Sequence, residues 1–157
     1  MSRLLLLLSV ILLHTFCFSQ SKKEVKANKI KSSYTTITEK GKTINEGKTI
    51  FDSKGNEIEK TDYNKEGGIK SVHKLKYDSE GNDIEDIEYD GANKLIEKKV
   101  TKYNMLGEKT EEVYYDTVGK IIKKHTYTYD GKGLKTERKT LDAEGKVIAV
   151  KKHVYIK

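Results

Sequence analysis

Polar and apolar residues alternate in short runs along most of this chain, and the runs are punctuated at regular intervals. Each mark is an aromatic residue or an apolar stand-in, followed at once by Asp or Asn and, four residues after the mark, by Gly or Asn. The marks are Phe51, Tyr63, Tyr77, Tyr89, Tyr103, Tyr115, Tyr129 and Leu141, and Tyr155 closes the series. Spacings of 12 and 14 residues alternate, so the true period is 26 residues and contains two turns. A degenerate turn at Thr38 and Gly41, after Ile37, extends the series backwards. Internal repetition of this kind governs the fold before any local propensity does.

Turn chemistry explains the pattern. The turns open at Asp52, Asn64, Asp78, Asp90, Asn104, Asp116, Asp130 and Asp142. They close at Gly55, Gly67, Gly81, Asn93, Gly107, Gly119, Gly133 and Gly145. An opening Asp or Asn accepts backbone N–H bonds in a type I turn, and the closing position needs a positive φ. Such a turn, followed by a left-handed residue, is a hairpin connection with a bulge. The segments between turns predict strands at 30–37, 42–51, 56–63, 68–77, 82–89, 94–103, 108–115, 120–129, 134–141 and 146–155. Strands joined by tight turns are antiparallel neighbours. The expected fold is all-β: an up-and-down antiparallel meander of about ten short strands, forming a single curved sheet or closing like a barrel.

Charge changes the picture of how such a sheet coheres. The strands are too polar for a sandwich core. The eight-residue segments carry Glu59, Glu85, Glu111 and Glu137 at one equivalent position, and segments such as 94–103 are rich in lysine. Acidic and basic strands therefore alternate, and opposed pairs contribute ~0.2–1 kcal/mol each. Apolar residues gather at the starts of the basic strands and in the tyrosines. Tyr77, Tyr103, Tyr129 and Tyr155 are expected along one rim, and Tyr63, Tyr89 and Tyr115 along the other. Each row repeats every ~9.6 Å, twice the strand spacing. The plain role of these rings is packing over the bulge; the functional role is a stacking platform for sugars.

The first residues do not belong to the repeat. Arg3 and the run Leu4 to Leu13 form a secretory leader, with the small-residue cut after Ser19. This divides the chain into a signal peptide at 1–19, a basic segment at 20–29 and the repeat domain at 30–157. Lipid anchoring at Cys17 is not expected, because Thr15-Phe16 is a poor approach to a lipidated cysteine. The formal net charge is +7, and the leader removes one of those charges. A basic exported chain is attracted to anionic envelope polymers. Cys17 is the single cysteine, so the mature chain has no disulfide to lean on.

Three segments resemble the YD repeats of the RHS family: those starting at Lys76 (KYDSEGNDIE), Tyr127 (YTYDGKGLKTE) and Leu141 (LDAEGKVIAV). The resemblance covers most of 37–155 and implies a strand–turn repeat with surface or carbohydrate binding. The chain is far shorter than the shells such repeats build around a toxin, so toxin delivery is not implied. A weaker similarity is to the MORN-like repeats of certain antitoxin proteins.

The sequence offers no catalytic motif, no phosphate loop and no metal-binding spacing. His73 and His125 share a repeat position four strands apart, ~19 Å at the usual strand spacing, too far to share a metal. No cofactor and no metal are expected. A transmembrane barrel is not expected either, because Glu97 and Lys99 fall on one face of their strand and Lys98 and Lys102 on the other. The reading is a secreted or periplasmic, non-catalytic binding or scaffold module at the cell envelope, carbohydrate being one ligand class. The alternative is an immunity- or antitoxin-like protein that binds a protein partner. Nucleic acid is not an expected partner. The strand 146–155 is the richest β-forming run of the mature chain. It is expected to be covered by closure, by a homodimer through this edge, or by a partner.

Overall fold

The computed structural model describes residues 21–156. The expected leader, Cys17 and the cut after Ser19 lie outside the described residues. One short helix, α1 (Lys22–Ala27), precedes ten strands: β1 (Ser32–Glu39), β2 (Lys42–Phe51), β3 (Glu57–Tyr63), β4 (Ile69–Tyr77), β5 (Asp83–Asp90), β6 (Leu95–Tyr103), β7 (Lys109–Tyr115), β8 (Ile121–Tyr129), β9 (Lys135–Asp142) and β10 (Val147–Lys152). They lie side by side in chain order in one sheet. Each is antiparallel to the next. β1 and β10 are its two edges and do not pair with each other, so the sheet stays open.

The eight turns from Asp52 to Asp142 share one backbone hydrogen-bonding scheme; the β1–β2 connection is instead a two-residue turn at Lys40-Gly41, with φ of 51° and 77°, in place of the degenerate turn expected at Thr38 and Gly41. At the turn after β6 the Gly107 N–H donates to the Asn104 carbonyl at 3.0 Å, and the Asn104 N–H to the Glu108 carbonyl at 2.9 Å. The Asn104 side-chain oxygen accepts from the N–H groups of Leu106 and Glu108. Asp52, Asn64, Asp90, Asp116 and Asp130 repeat that pair of side-chain bonds. The closing glycines hold φ between 76° and 89°, and Asn93 takes 62° in their place. A bulge accompanies each mark, with the register shifting at residues such as Phe51, Tyr63, Tyr77 and Tyr89.

Residues paired across strands share a face, so the register assigns each side chain to one of two faces. On the first, Lys76 pairs with Glu85 and Lys102 with Glu111. The Glu85 carboxylate bridges Lys76 and Lys98, each at 2.6 Å. One period later Glu111 bridges Lys102 at 2.8 Å and Lys124 at 3.0 Å. The lysine hydrogen bonds hold both carboxyls below the ordinary glutamate range. On this bridge face the alternation of acidic and basic strands becomes a series of hydrogen-bonded ion pairs. The other, or clamp, face carries Tyr77, Tyr103 and Tyr129. Their hydroxyls donate to the carbonyls of Glu57, Asp83 and Lys109, at 2.9, 3.3 and 2.9 Å. Tyr155 makes the same bond to Lys135 at 2.8 Å. Each accepting carbonyl belongs to the first residue of the preceding long-range neighbour strand, so every ring is laid back across a bulge and fastened there.

α1 was not legible as an element in the basic segment 20–29. Ser21 caps it in a reciprocal box with Glu24. Val25, 1 % exposed, is its buried anchor. The helix lies over the first turn of the rim: a Cβ built on Gly55 would sit 2.5 Å from the Lys22 carbonyl oxygen. It covers the repeat copy that has Phe51 where the others have a hydroxyl-bearing tyrosine. Among the described residues only Val25 and Val113 are buried apolar side chains. The sheet therefore stands on turns, ladder bonds, clamps and bridges rather than on a core. β10 ends at Lys152, three residues short of the sequence expectation, after which the His153 N–H still bonds the Thr136 carbonyl at 2.9 Å. All six residues of β10 are exposed.

Candidate functional site

Both faces keep some residues along the repeat and change others. The bridge face repeats the same ions: Lys76 and Lys102, Glu85 and Glu111, Lys98 and Lys124 stand one period apart. At the centre of the clamp face the equivalent positions diverge. Asp86 becomes Glu112 and then Arg138; Glu88 becomes Tyr114 and then Thr140; Lys99 becomes His125; Thr101 becomes Tyr127. A position free of the demands of the scaffold is one that can serve a ligand, and violations of a local rule gather at functional sites.

In the β4–β6 part of this face the carboxylates gather around His73 and Lys99, and Glu88 stands directly opposite Glu97. Asp86 accepts from His73 Nδ1 at 3.1 Å and from Lys99 at 3.3 Å. His73 Nε2 lies 3.8 Å from Glu88. The β7–β9 part is built otherwise. Glu112 is 7 % exposed, an unusual burial for a carboxylate in a single-layer sheet. It accepts from Lys109 at 2.7 Å and Tyr114 at 3.4 Å, and from the Tyr127 hydroxyl. Burial pushes this carboxyl up, but the bonds from Lys109 and Tyr127 outweigh it and hold the group below the ordinary range. Glu112 is therefore an ionised anchor rather than a proton donor. Burial and the Glu112 charge push the Tyr114 phenol up to about 12. Burial and the Glu112 hydrogen bond raise Tyr127 as well. Both phenols stay neutral at physiological pH.

Between the two tyrosines stands His125. Its ring meets Tyr114 edge-on, with centroids 5.3 Å apart, and Tyr127 at 6.5 Å. Its Nδ1 is 3.0 Å from the Thr140 hydroxyl. Burial and the Arg138 charge lower its pKa, so the ring is neutral near pH 7. Lys123 Nζ lies 4.2 Å from the centre of the Tyr114 ring, and Lys135 Nζ 4.6 Å from that of Tyr127. The result is an aromatic platform with a buried carboxylate at one side and cations around it. Nothing in it resembles an activated nucleophile, and no group of three metal-ligating side chains occurs among the described residues.

The tyrosine rows expected from the sequence separate. Tyr63, Tyr89 and Tyr115 lie on the bridge face, and Tyr77, Tyr103, Tyr129 and Tyr155 on the clamp face, so the rows never form one surface. The hydroxyls of the second row are spent on backbone carbonyls. The rings that cluster, Tyr114 and Tyr127, are tyrosines outside the periodic series. Their signal in the sequence was that departure from the repeat, together with Arg138, the one arginine beyond Arg3.

No protein-family model matches the chain, and no curated protein matches it. Among solved structures it is similar to a Bacteroides fragilis protein of unknown function, at 16 % identity and a TM-score of 0.44, over 81 % of this chain and 96 % of that one. It is also similar to TarM, at 17 % identity and a TM-score of 0.33, over 80 % of this chain and 22 % of TarM. A Staphylococcus aureus TarM structure in complex with fondaparinux, alpha-GlcNAc-glycerol and UDP gives 16 % identity and a TM-score of 0.31, again over 22 % of that chain. All three scores lie below 0.5, too low for ligand or activity to transfer. No helix among the described residues is long and apolar enough to cross a membrane.

Proposed function

We propose that this chain is an exported, non-catalytic binding module of the cell envelope that holds a saccharide against the clamp face. The observation that carries the reading is the Tyr114–His125–Tyr127 platform, set on an open sheet and flanked by hydrogen-bonding groups. A sugar ring presents an apolar C–H face to an aromatic ring and hydroxyls to polar neighbours such as Thr140. Glu112, buried and already bonded by Lys109, Tyr114 and Tyr127, holds the two tyrosine hydroxyls in place instead of meeting the ligand itself. The scaffold is preformed by turns and bridges that do not involve these residues, which keeps the ordering cost of binding low.

The test is a glycan array and calorimetry with the mature chain. Tyr114→Ala with Tyr127→Ala should abolish saccharide binding, whereas Tyr89→Ala on the opposite face should leave it unchanged. An array without any saccharide signal for the folded mature protein would overturn the reading, as would equal loss from the Tyr89 variant.

A further inference from the structure

Resting on the clamp face as the binding face, the charge pattern specifies what kind of saccharide it takes. Elsewhere in the centre of the sheet an acidic strand separates two basic ones, and the carboxylates are shared between lysines on either side. β9 breaks that rule. At the position where β5 has Asp86 and β7 has Glu112, β9 has Arg138. The register sets Arg138 directly opposite Tyr127 on β8 and directly opposite Lys151 on β10. Like charges directly opposed across strands destabilise a sheet.

The Arg138 side chain takes part in none of the ion pairs among the described residues, while Lys109, Lys123 and Lys139 each have an acidic partner. The Arg138 Nε is buried without a hydrogen-bond partner. A guanidinium is a rigid fork shaped for the two oxygens of a carboxylate or phosphate. Its neighbours are a tyrosine ring on one side and a lysine on the other. Lys123 and Lys135 already lie over the tyrosine rings and contribute further positive charge at the same place.

We infer that Arg138, with Lys151, forms an anion-binding subsite beside the Tyr127 ring, so that the clamp face selects a saccharide carrying a carboxylate or phosphate over a neutral one. The anion supplies the negative charge that the repeat places at this position in β5 and β7. Arg138 fixes its orientation through the fork, Lys151 adds charge, and Tyr127 takes the sugar ring to which the anion is attached.

The experiment compares four probes with the mature chain at fixed ionic strength: polygalacturonate, poly(glycerol phosphate), neutral dextran and polyacrylate. The anionic saccharides should bind about tenfold or more tighter than dextran, a ratio in line with charge-assisted hydrogen bonds. The preferred one of the two identifies carboxylate or phosphate as the source. Arg138→Gln should remove that preference without weakening dextran binding. Arg138→Lys should restore part of it. Arg138→Glu restores the repeat's own charge order, so it should bind the anionic probes worst while its urea midpoint stays equal to or above that of the parent. Equal binding of dextran and polygalacturonate would overturn the anionic subsite and leave the saccharide reading intact. A lowered urea midpoint in Arg138→Glu and Arg138→Gln, with parallel loss on all probes, would show a structural arginine and overturn it too. Polyacrylate binding as tightly as polygalacturonate, lost in Arg138→Gln, would keep the anion subsite and remove the saccharide reading instead.

Discussion

Replacing a closing glycine by alanine at two equivalent turns separates the cost of backbone strain from the cost of losing α1. Gly107 and Gly55 stand two periods apart and both hold positive φ, 76° and 83°. A Cβ built on Gly107 meets nothing within 4 Å. Gly107→Ala therefore carries only the cost of placing an L-residue in the left-handed region, about 1–2 kcal/mol. At Gly55 the same Cβ would stand 2.5 Å from the Lys22 carbonyl oxygen and 3.2 Å from the Lys26 amide nitrogen. Both are backbone atoms of α1 and cannot swing aside as a side chain can, so the helix must lift. Lifting exposes Val25, and full burial of such a side chain contributes about 1.5–3 kcal/mol. Gly55→Ala is thus expected to cost about 2.5–5 kcal/mol in total. Urea melts of the two variants and the parent read the difference. Protease sensitivity at 22–27 locates it, rising in the Gly55 variant alone. Equal costs with α1 equally protected in both variants would refute the docking of α1 on the turn, and a larger cost at Gly107 would refute the strain argument as well.

Three further outcomes follow from other features. Tyr129→Phe keeps the ring but deletes the donor to the Lys109 carbonyl, so it should cost about 0.5–1.5 kcal/mol in the same melts, with saccharide binding retained. Glu85 and Glu111 have depressed carboxyl pKa values in the folded sheet, so the unfolded chain binds protons first as acid is added. Their contribution is present above the ordinary glutamate value of 4.5 and is lost as pH falls through the depressed folded values; an acid melt of the Glu85→Gln, Glu111→Gln double variant should be flatter in that window than the parent's. In β10 the His153 N–H points to β9, so by alternation the amides of Val150 and Lys152 face outward; they should exchange with deuterium fast in the monomer while that of Lys151 is protected, and slow exchange at all three would show that the edge is covered.

The sequence made the meander readable because the turns are chemical statements. An Asp or Asn with a glycine three residues later fixes two hydrogen bonds and one positive φ, and the strands between such turns have no freedom in order or direction. Glu85 and Glu111 were legible for the same reason, as one charge repeated in one place. The face of each tyrosine was not, because a bulge at every mark shifts the parity of the strand, and a one-residue slip moves a side chain through the sheet. Tyr77 and Tyr89 look alike in the chain and end on opposite faces. α1 was missed because a six-residue helix has no useful apolar period; only the Ser21–Glu24 capping box announced it. Tyr114, Tyr127 and Arg138 carry no periodic signal, because they stand where the recurrence stops.

The order of the strands also has a mechanical consequence. β1 and β10 occupy opposite edges, and every strand is hydrogen-bonded only to its neighbours in the chain. A load applied between the two ends of the domain therefore does not shear the ladders all at once. It opens them from an edge, bond after bond, like a zip. Each released strand lengthens the tether before the next one is disturbed, and the intact remainder keeps its shape because no shared interior is lost with it. If the proposed saccharide site near β7–β9 holds a polymer, that polymer stays under tension while the strands at the far edge yield in steps, and the sheet acts as a shock absorber.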